Sequence, residues 1–180
     1  MIYFKISILA VLLFLLYLLI FRYKAPWVPM YKRDLARLDQ LLELKPGNNF
    51  YDLGCGNGRV IFYLAKKYPQ VNFTGVEISL TLFLICCLRK FAGNYKNVKL
   101  KLFDYMLLDL NQADYIYAFA NKLTIEDLAR KIEKEADKNL VVLSYCFPIN
   151  SWKKFLVAEE NKPGEKKDLF RIYQYKKRDV

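Results

Sequence analysis

The chain has 180 residues, of which 29 are basic and 18 acidic, and its formal net charge is +11. This length suffices for one domain with a buried core, and the charge favours anionic partners such as nucleic acid or an anionic membrane. The sequence contains no histidine, which excludes a histidine general base and histidine-ligated metal sites. The four cysteines, at positions 55, 86, 87 and 146, form no C-x-x-C pair. We therefore predict reduced thiols and no metal site.

The first predicted element is an apolar segment. Residues 8–21 are uninterrupted by any charged side chain, and together with residues 1–7 they reach the roughly 20 residues that a transmembrane helix needs. Residues 21–24, at the end of this segment, lack the small side chains of a signal-peptide cleavage site. We predict an uncleaved transmembrane anchor over residues 1–24, and a cleaved signal or a buried helix is the alternative.

The charges around this segment predict its orientation. Five basic residues follow it closely, namely Arg22, Lys24, Lys32, Arg33 and Arg37, whereas only Lys5 and the terminal amine precede it. By the positive-inside rule, the globular part is expected on the cytoplasmic side of a membrane, or on the equivalent positive side of an organelle membrane.

Residues 25–47 are predicted to form a linker and an amphipathic helix. Pro26 and Pro29 disfavour helix at the residues before them, so this stretch is expected to be extended. Leucines then recur at helical spacing over residues 31–44. The turn at Lys45-Pro46-Gly47 ends the predicted helix.

Residues 48–180 alternate between predicted strands and helices. The predicted strands cover residues 49–53, 71–77, 98–103, 115–119 and 140–147, and the helices cover about 58–68, 80–91 and 124–138. Ser79 and Thr124 are the predicted N-terminal caps of the second and third helices. Residues 152–159 and 169–175 indicate a closing antiparallel hairpin. This pattern predicts an α/β fold with a Rossmann-like, mostly parallel sheet and an antiparallel C-terminal hairpin.

The segment Asp52-Leu53-Gly54-Cys55-Gly56-Asn57-Gly58 connects the first of these strands to the first helix. Glycines at alternate positions permit positive φ and a close approach of a ligand to the backbone. The spacing differs from the G-x-G-x-x-G of dinucleotide sites, and an acid precedes the glycines. Because a carboxylate repels phosphate, the loop suits a cationic ligand better.

Two further acids end neighbouring strands. Glu77 lies 19 residues after Gly58 and can accept both hydroxyls of a ribose, and Asp104 can accept from an adenine amino group. The carboxyl ends of parallel strands form one crevice, so these acids and the glycine loop are expected to meet there. A nucleoside that carries positive charge and no phosphate fits S-adenosylmethionine.

With these residues in place, the chain resembles the class I S-adenosylmethionine-dependent methyltransferases over about residues 29–180. The resemblance implies that the loop around Asp52, Gly54, Cys55, Gly56, Asn57 and Gly58 holds the methionine part of the cofactor. It also implies that Glu77 holds the ribose and that Asp104 lies by the adenine.

A narrower resemblance is to the membrane-anchored protein-lysine methyltransferases that include the mitochondrial enzyme of the ATP synthase c-subunit. Three features carry it: the apolar segment leading into Pro26-Trp27-Val28-Pro29, the glycine loop up to Arg59, and Ser144-Tyr145-Cys146-Phe147-Pro148 with the later Trp152. Tyr145 stands where that family usually has histidine, and residues 118–122 lack its leucine-rich run. The resemblance implies a membrane-associated protein as the substrate.

Transfer to a lysine requires a neutral amine, which an aromatic-lined, dehydrated channel favours. The candidates for this lining are Trp27, Pro29, Tyr145, Phe147 and Pro148, and no catalytic base is assigned.

Methylation of a lipid headgroup or small molecule, RNA methylation and a non-catalytic anchored scaffold are alternatives. Nucleic acid is not the expected substrate, because the residues typical of base methylation are absent after the fourth strand. The helix over residues 80–91 is apolar all round, which suggests that its outer face meets a membrane or a membrane protein.

Overall fold

The computed structural model describes residues 28–135, 139–160 and 170–177, together with residues 6, 7, 9, 11 and 14. The helices are α1 (Lys32–Gln40), α2 (Arg59–Lys67), α3 (Leu80–Gly93) and α4 (Lys122–Glu135). The strands are β1 (Asn49–Leu53), β2 (Asn72–Glu77), β3 (Val98–Leu102), β4 (Tyr115–Ala118), β5 (Leu140–Tyr145), β6 (Leu156–Glu160) and β7 (Ile172–Lys177). Short 3-10 helices cover Tyr105–Leu107 and Asn150–Phe155.

The described strands form one seven-stranded sheet in the order β3-β2-β1-β4-β5-β7-β6. The five neighbouring strands β3, β2, β1, β4 and β5 are parallel. Strand β7 is antiparallel to β5, and β6 is antiparallel to β7. The predicted Rossmann-like sheet with an antiparallel C-terminal hairpin is thereby confirmed. The order reverses between β1 and β4, so the carboxyl end of β1 is the switch point at which such sheets bind ligands.

Helices cover both faces of the sheet, which explains why its central strands are apolar on both sides. One face packs against α1 and α2 through buried side chains such as Leu38, Ile61 and Phe73. The other packs against α4 and the second 3-10 helix through side chains such as Leu128 and Trp152.

The bounds of α1 and α4 differ from the sequence expectations. Helix α1 ends at Gln40, four residues before the predicted end. Helix α4 begins at Lys122 because Asn121 Oδ1 accepts the backbone N–H groups of both Leu123 and Thr124, at 3.0 Å each. Asn121 thus takes the capping role that the sequence suggested for Thr124.

The strand predicted to begin at Trp152 begins at Leu156 instead. Trp152 lies in the second 3-10 helix and is fully buried, and its indole N–H donates to Glu133 Oε1 at 2.9 Å. Burial of this large ring against α4 overrides the β propensity of the local sequence.

No helix within the described residues is both long enough and apolar enough to cross a membrane. All but five positions of the predicted anchor, residues 1–24, lie outside those residues. The anchor and the orientation derived from it therefore stay predictions.

Candidate active site

The glycine loop leaves β1 at its carboxyl end and is fixed to the neighbouring strand. The backbone N–H groups of Gly54 and Cys55 both donate to the carbonyl of Val76, at 2.8 and 3.0 Å. Gly54, Gly56 and Gly58 have φ values of 76°, 57° and 73°. Gly58 is also the N-cap of α2, where a Cβ atom would lie 2.4 Å from Phe62 Cε2. The loop therefore requires glycine at this position for its backbone and for the packing of α2.

Glu77, the predicted ribose ligand, lies beside this loop at the end of β2. Its side chain is almost fully buried, and its Oε2 accepts the backbone N–H of Gly56 at 2.8 Å. Its Oε1 accepts the N–H of Ser79, also at 2.8 Å. Each carboxylate oxygen has a second lone pair, so Glu77 can still accept hydroxyl groups from a ligand.

Asp52, the acid before the glycines, is 2% exposed. Its Oδ2 is buried without a hydrogen-bond partner among the described residues. Burial and the charge of Glu77 raise the pKa of Asp52 to about 8, although a backbone hydrogen bond from Ile61 opposes the shift. A buried acid with a free oxygen suits a cationic ligand, which would stabilise its ionised form.

Tyr117 is a second buried group with an unused polar atom. It is the register partner of Asp52 on β4, and its hydroxyl has no partner within the described part of the chain. Burial and the charge of Asp52 raise its pKa well above the usual value. Tyr117 was not among the predicted site residues, because a tyrosine inside an apolar strand is typical of the hydrophobic core.

Two buried thiols, Cys55 of the loop and Cys86 of α3, are hydrogen-bonded to each other. Cys86, the one buried side chain of α3, donates its Sγ hydrogen to the carbonyl of Gly56 at 3.0 Å. A hydrogen bond with Cys86 and burial raise the pKa of Cys55, so this thiol stays neutral. Arg89 of α3 also donates to the carbonyl of Asn57. Helix α3 thus holds two of the predicted cofactor-binding positions, Cys55 and Asn57, in place.

Asp104, the predicted adenine neighbour, follows β3 and is half-buried. Its Oδ1 accepts the N–H of Met106 at 2.9 Å and caps the first 3-10 helix. The adjacent Tyr105 was not predicted, yet a Cβ atom on Gly54 would lie only 3.9 Å from its ring. Burial and the carboxylates of Asp104 and Glu77 raise the pKa of Tyr105 to about 12. Tyr105 therefore offers a neutral hydroxyl and a ring beside the loop.

The predicted channel residues are dispersed. Trp27 lies outside the described residues, while Pro29, Phe147 and Pro148 are each half-exposed. Tyr145 is fully buried, and its hydroxyl donates to Asp34 Oδ2 at 2.6 Å. This corrects the expectation that Tyr145 lines an open channel, because its polar end is held inside the fold by α1.

The turn after β5 has an unusual backbone. Cys146 has a φ of 78°, and its N–H donates to the carbonyl of Arg171 at 2.7 Å. The Ser144 hydroxyl donates to the carbonyl of Phe147 at 2.6 Å. A left-handed residue other than glycine is a strained conformation that is common at functional sites. The turn fixes Phe147 and Pro148 at the carboxyl edge of the sheet.

An aromatic cluster of Tyr31, Phe119, Tyr145 and Phe170 lies at the same edge. Its ring centroids are 4.9 Å apart for Phe119 and Tyr145, 5.9 Å for Tyr145 and Phe170, and 4.9 Å for Tyr31 and Phe170. Phe119 directly follows Ala118, which pairs with Leu53, so the cluster begins across from Gly54. The cluster places partly exposed aromatic rings next to the cofactor loop.

Within the described ranges, no group of three or more acidic or cysteine side chains could hold a metal ion.

Comparison with known proteins adds to this geometry. The ANTKMT methyltransferase domain matches residues 52–155. A protein-lysine N-methyltransferase of Saccharolobus islandicus (strain REY15A) is 27% identical over an alignment of 157 residues, and the match covers 84% of this chain and 96% of that protein. The Homo sapiens lysine N-methyltransferase of the ATP synthase c-subunit is 25% identical over an alignment of 130 residues, and the match covers 71% of this chain and 54% of that protein.

A solved structure shares the fold. An RNA methyltransferase from Salinibacter ruber, in complex with S-adenosyl-L-homocysteine, has a TM-score of 0.75 and 20% sequence identity. The match covers 85% of this chain and 95% of that one.

Proposed function

The chain belongs to the ANTKMT methyltransferase domain family, and on that basis we propose that it is a protein-lysine N-methyltransferase that acts at a membrane surface. It is a class I S-adenosylmethionine-dependent methyltransferase, and its cofactor is S-adenosylmethionine. The lysine acceptor and the membrane are the proposed parts.

The residues of the crevice fit this cofactor. Asp52 provides a buried carboxyl group with a free oxygen, which suits a positively charged ligand. Glu77 offers its remaining lone pairs to the ribose hydroxyls, and Asp104 and Tyr105 offer an acceptor and a ring for the adenine. When bound, S-adenosylmethionine supplies an electrophilic methyl group on a sulfonium, which an amine takes by in-line displacement of the sulfur.

The observation that carries the lysine acceptor is the aromatic cluster beside the loop. A lysine amine has a pKa of about 10.4 in water and must lose its proton before it can attack. Burial of the amine among Tyr31, Phe119 and Phe170 would lower that pKa, and the ring faces would hold the methylated ammonium. We expect the proton of the lysine ammonium to pass to solvent, and we propose no side chain as a general base. The similarity to two lysine N-methyltransferases supports the same acceptor.

The membrane part of the proposal comes from the sequence. Residues 1–24, with the uninterrupted apolar run 8–21, are the predicted anchor, and a net charge of +11 favours an anionic surface. The catalytic part is proposed to lie on the cytoplasmic side, or on the equivalent positive side of an organelle membrane. The substrate is then a protein whose lysine lies near that surface.

Incubation of the full chain with methyl-labelled S-adenosylmethionine and membranes of its source tests the proposal. We expect label in a protein band that yields methyl-lysine on hydrolysis. Phe119→Ala should lower the rate at least about tenfold, because it opens the amine site to water. Phe155→Ala, which removes a half-exposed ring from the opposite face of the sheet, is the matched control and should retain the rate.

The same labelling experiment separates the alternatives. Label in extracted lipid or a small molecule, or in RNA, would assign a different acceptor and contradict the lysine proposal. Binding of the cofactor by calorimetry without label in any fraction would favour the non-catalytic scaffold.

A further inference from the structure

The outer face of α3 is apolar along its whole length. Leu80, Leu84, Leu88 and Phe91 are 51, 52, 71 and 88% exposed. They are spaced four, four and three residues apart, which puts them on one side of a helix. A helix that covers one edge of a sheet would ordinarily present polar side chains there.

This stripe continues onto the carboxyl edge of the sheet. Four further apolar residues there have large exposed side chains: Ile78, Leu102, Phe103 and Leu107. Phe103 donates its N–H to the carbonyl of Glu77 at 3.1 Å, so the group adjoins the cofactor crevice. These eight residues are here termed the α3 surface. An exposed apolar patch of this extent marks an interaction site.

Most of the charge around α3 is positive, although the acid Asp104 lies between Phe103 and Leu107 of the α3 surface. The segment from Arg59 to Lys101, which forms α2, β2, α3 and β3, contains eight basic residues. Its single acid is Glu77, which is buried. Next to α3, an open groove of about 990 Å³ is lined by Lys32, Arg59, Lys66, Lys67 and Arg89 among others. Apolar side chains flanked by cations are the chemistry of a surface that binds anionic bilayers.

The position at which the chain enters the fold also favours a bilayer. The carbonyl of Met30 accepts from Arg59 at 2.7 Å, so the chain enters beside the start of α2. The apolar segment 8–21 ends seven residues before Val28, a reach of at most about 25 Å. Ile6, Leu9, Val11 and Phe14 of the N-terminal part are themselves 57–59% exposed.

We propose that the α3 surface docks on an anionic phospholipid bilayer and lays the β3 edge of the sheet along it. The inference deepens the proposed function and rests on it for the membrane-bound substrate. Docking in this orientation places the carboxyl edge, with the cofactor crevice, beside the bilayer surface. A lysine just outside the hydrocarbon would then reach the crevice, while lysines far from the bilayer would not.

Site-specific crosslinking tests the contact without relying on activity. The photoreactive residue benzoylphenylalanine replaces Phe91 in the full chain, which is reconstituted in vesicles of phosphatidylcholine and phosphatidylglycerol. A second preparation carries it at Val157, an exposed apolar position on β6 at the opposite edge of the sheet. After illumination, mass spectrometry should find phospholipid adducts at position 91 and none at position 157.

Charged substitutions test the consequence for activity. Leu88→Asp with Phe91→Asp should slow methylation of the substrate in native membranes at least about tenfold, because two large apolar side chains lose their lipid contact. Cofactor affinity should not change, since both side chains are largely exposed to solvent and neither contributes to the glycine loop. Val157→Asp is the matched control and should retain the full rate.

Two crosslinking outcomes would overturn the inference. Adducts from position 91 to residues 1–27 of the same chain, or to another protein, would mean that the α3 surface binds a polypeptide instead of lipid. Equal lipid adducts at positions 91 and 157 would mean that docking has no preferred face. Lipid adducts at position 91 without methyl-lysine would support the docking surface and reject only the lysine acceptor.

Discussion

Asp52 makes cofactor binding sensitive to pH. Its pKa of about 8 means that the free protein holds a proton there at neutral pH. A cationic ligand favours the carboxylate, so binding should release this proton. We expect the affinity for S-adenosylmethionine to rise with pH, by up to about tenfold per unit, and to level off above pH 8. Calorimetry in buffers of different ionisation enthalpy measures both the affinity and the proton.

Asp52→Asn is the control for this prediction, because an amide of the same shape cannot ionise. Its affinity should be lower at pH 8 and independent of pH below that value. A pH dependence that survives in Asp52→Asn would assign the proton to another group.

The same carboxyl also affects stability without the cofactor. Its pKa is raised in the folded state, so its contribution to the free energy of unfolding is fully present below the usual value of 3.8. That contribution is lost as the pH rises through about 8, because the fold must then carry a buried charge. Urea unfolding in mild detergent should show stability falling between pH 5 and about pH 8, and Asp52→Asn should flatten this slope.

Gly58 permits a prediction with an internal control. Alanine there combines a φ of 73° with a Cβ atom 2.4 Å from Phe62, so we expect a loss of about 3 kcal/mol in the free energy of unfolding. Gly47 has a φ of 83° but no atom within 4 Å of its would-be Cβ. Gly47→Ala should therefore cost only the backbone strain, about 1 kcal/mol. Equal losses in urea unfolding would contradict a packing role for Gly58.

At the scale of elements, α1 is fastened to the sheet by a buried charge network. The Asp34 carboxylate accepts a hydrogen bond from the Tyr145 hydroxyl. Its Oδ1 also forms an ion pair with Arg37 Nη1 at 3.0 Å. Arg37 also donates to the carbonyl of Glu160 at 2.7 Å, so β6 joins the same network. The network connects the helix before the glycine loop to the C-terminal hairpin.

Tyr145 and Tyr117 provide a matched test of that network. Tyr145→Phe leaves a buried Asp34 oxygen without its donor and should cost about 1–3 kcal/mol in the free energy of unfolding. Tyr117→Phe removes a hydroxyl that has no partner in the described structure, so it should cost close to nothing. A larger loss for Tyr117→Phe, measured by urea unfolding without cofactor, would show that its hydroxyl is satisfied after all.

For the whole molecule, cofactor binding should stabilise the fold. A ligand at one hundred times its dissociation constant adds about 2.7 kcal/mol, which raises the melting temperature by roughly 5–10 °C for a chain of this length. The thermal scan should show this shift at pH 8 and a smaller one at pH 6, since Asp52 is protonated at the lower pH. An equal shift in melting temperature at both pH values would mean that stabilisation by the cofactor does not depend on the protonation of Asp52.

Local patterns in the sequence predicted much of this architecture. The glycine loop, the acids at the ends of β1, β2 and β3, and the antiparallel hairpin all depend on residues close together in the chain. Contacts between distant residues could not be predicted in this way. Tyr145 pairs with Asp34, 111 residues away, and Tyr117 lies beside Asp52 only after the sheet is formed. Trp152 interrupts a β-like segment because its ring is buried under α4.

Asp52, the buried acid at the end of β1, should also interact differently with S-adenosylmethionine and with its demethylated product. Methyl transfer removes the sulfonium charge, so the product S-adenosylhomocysteine carries one positive charge fewer into the same surroundings. With less cationic charge nearby, Asp52 should regain a proton from solvent. Each turnover would then begin with the release of a proton and end with its uptake. Mildly acidic conditions would strengthen inhibition by the product, because a protonated Asp52 weakens binding of the charged donor more than binding of the spent one.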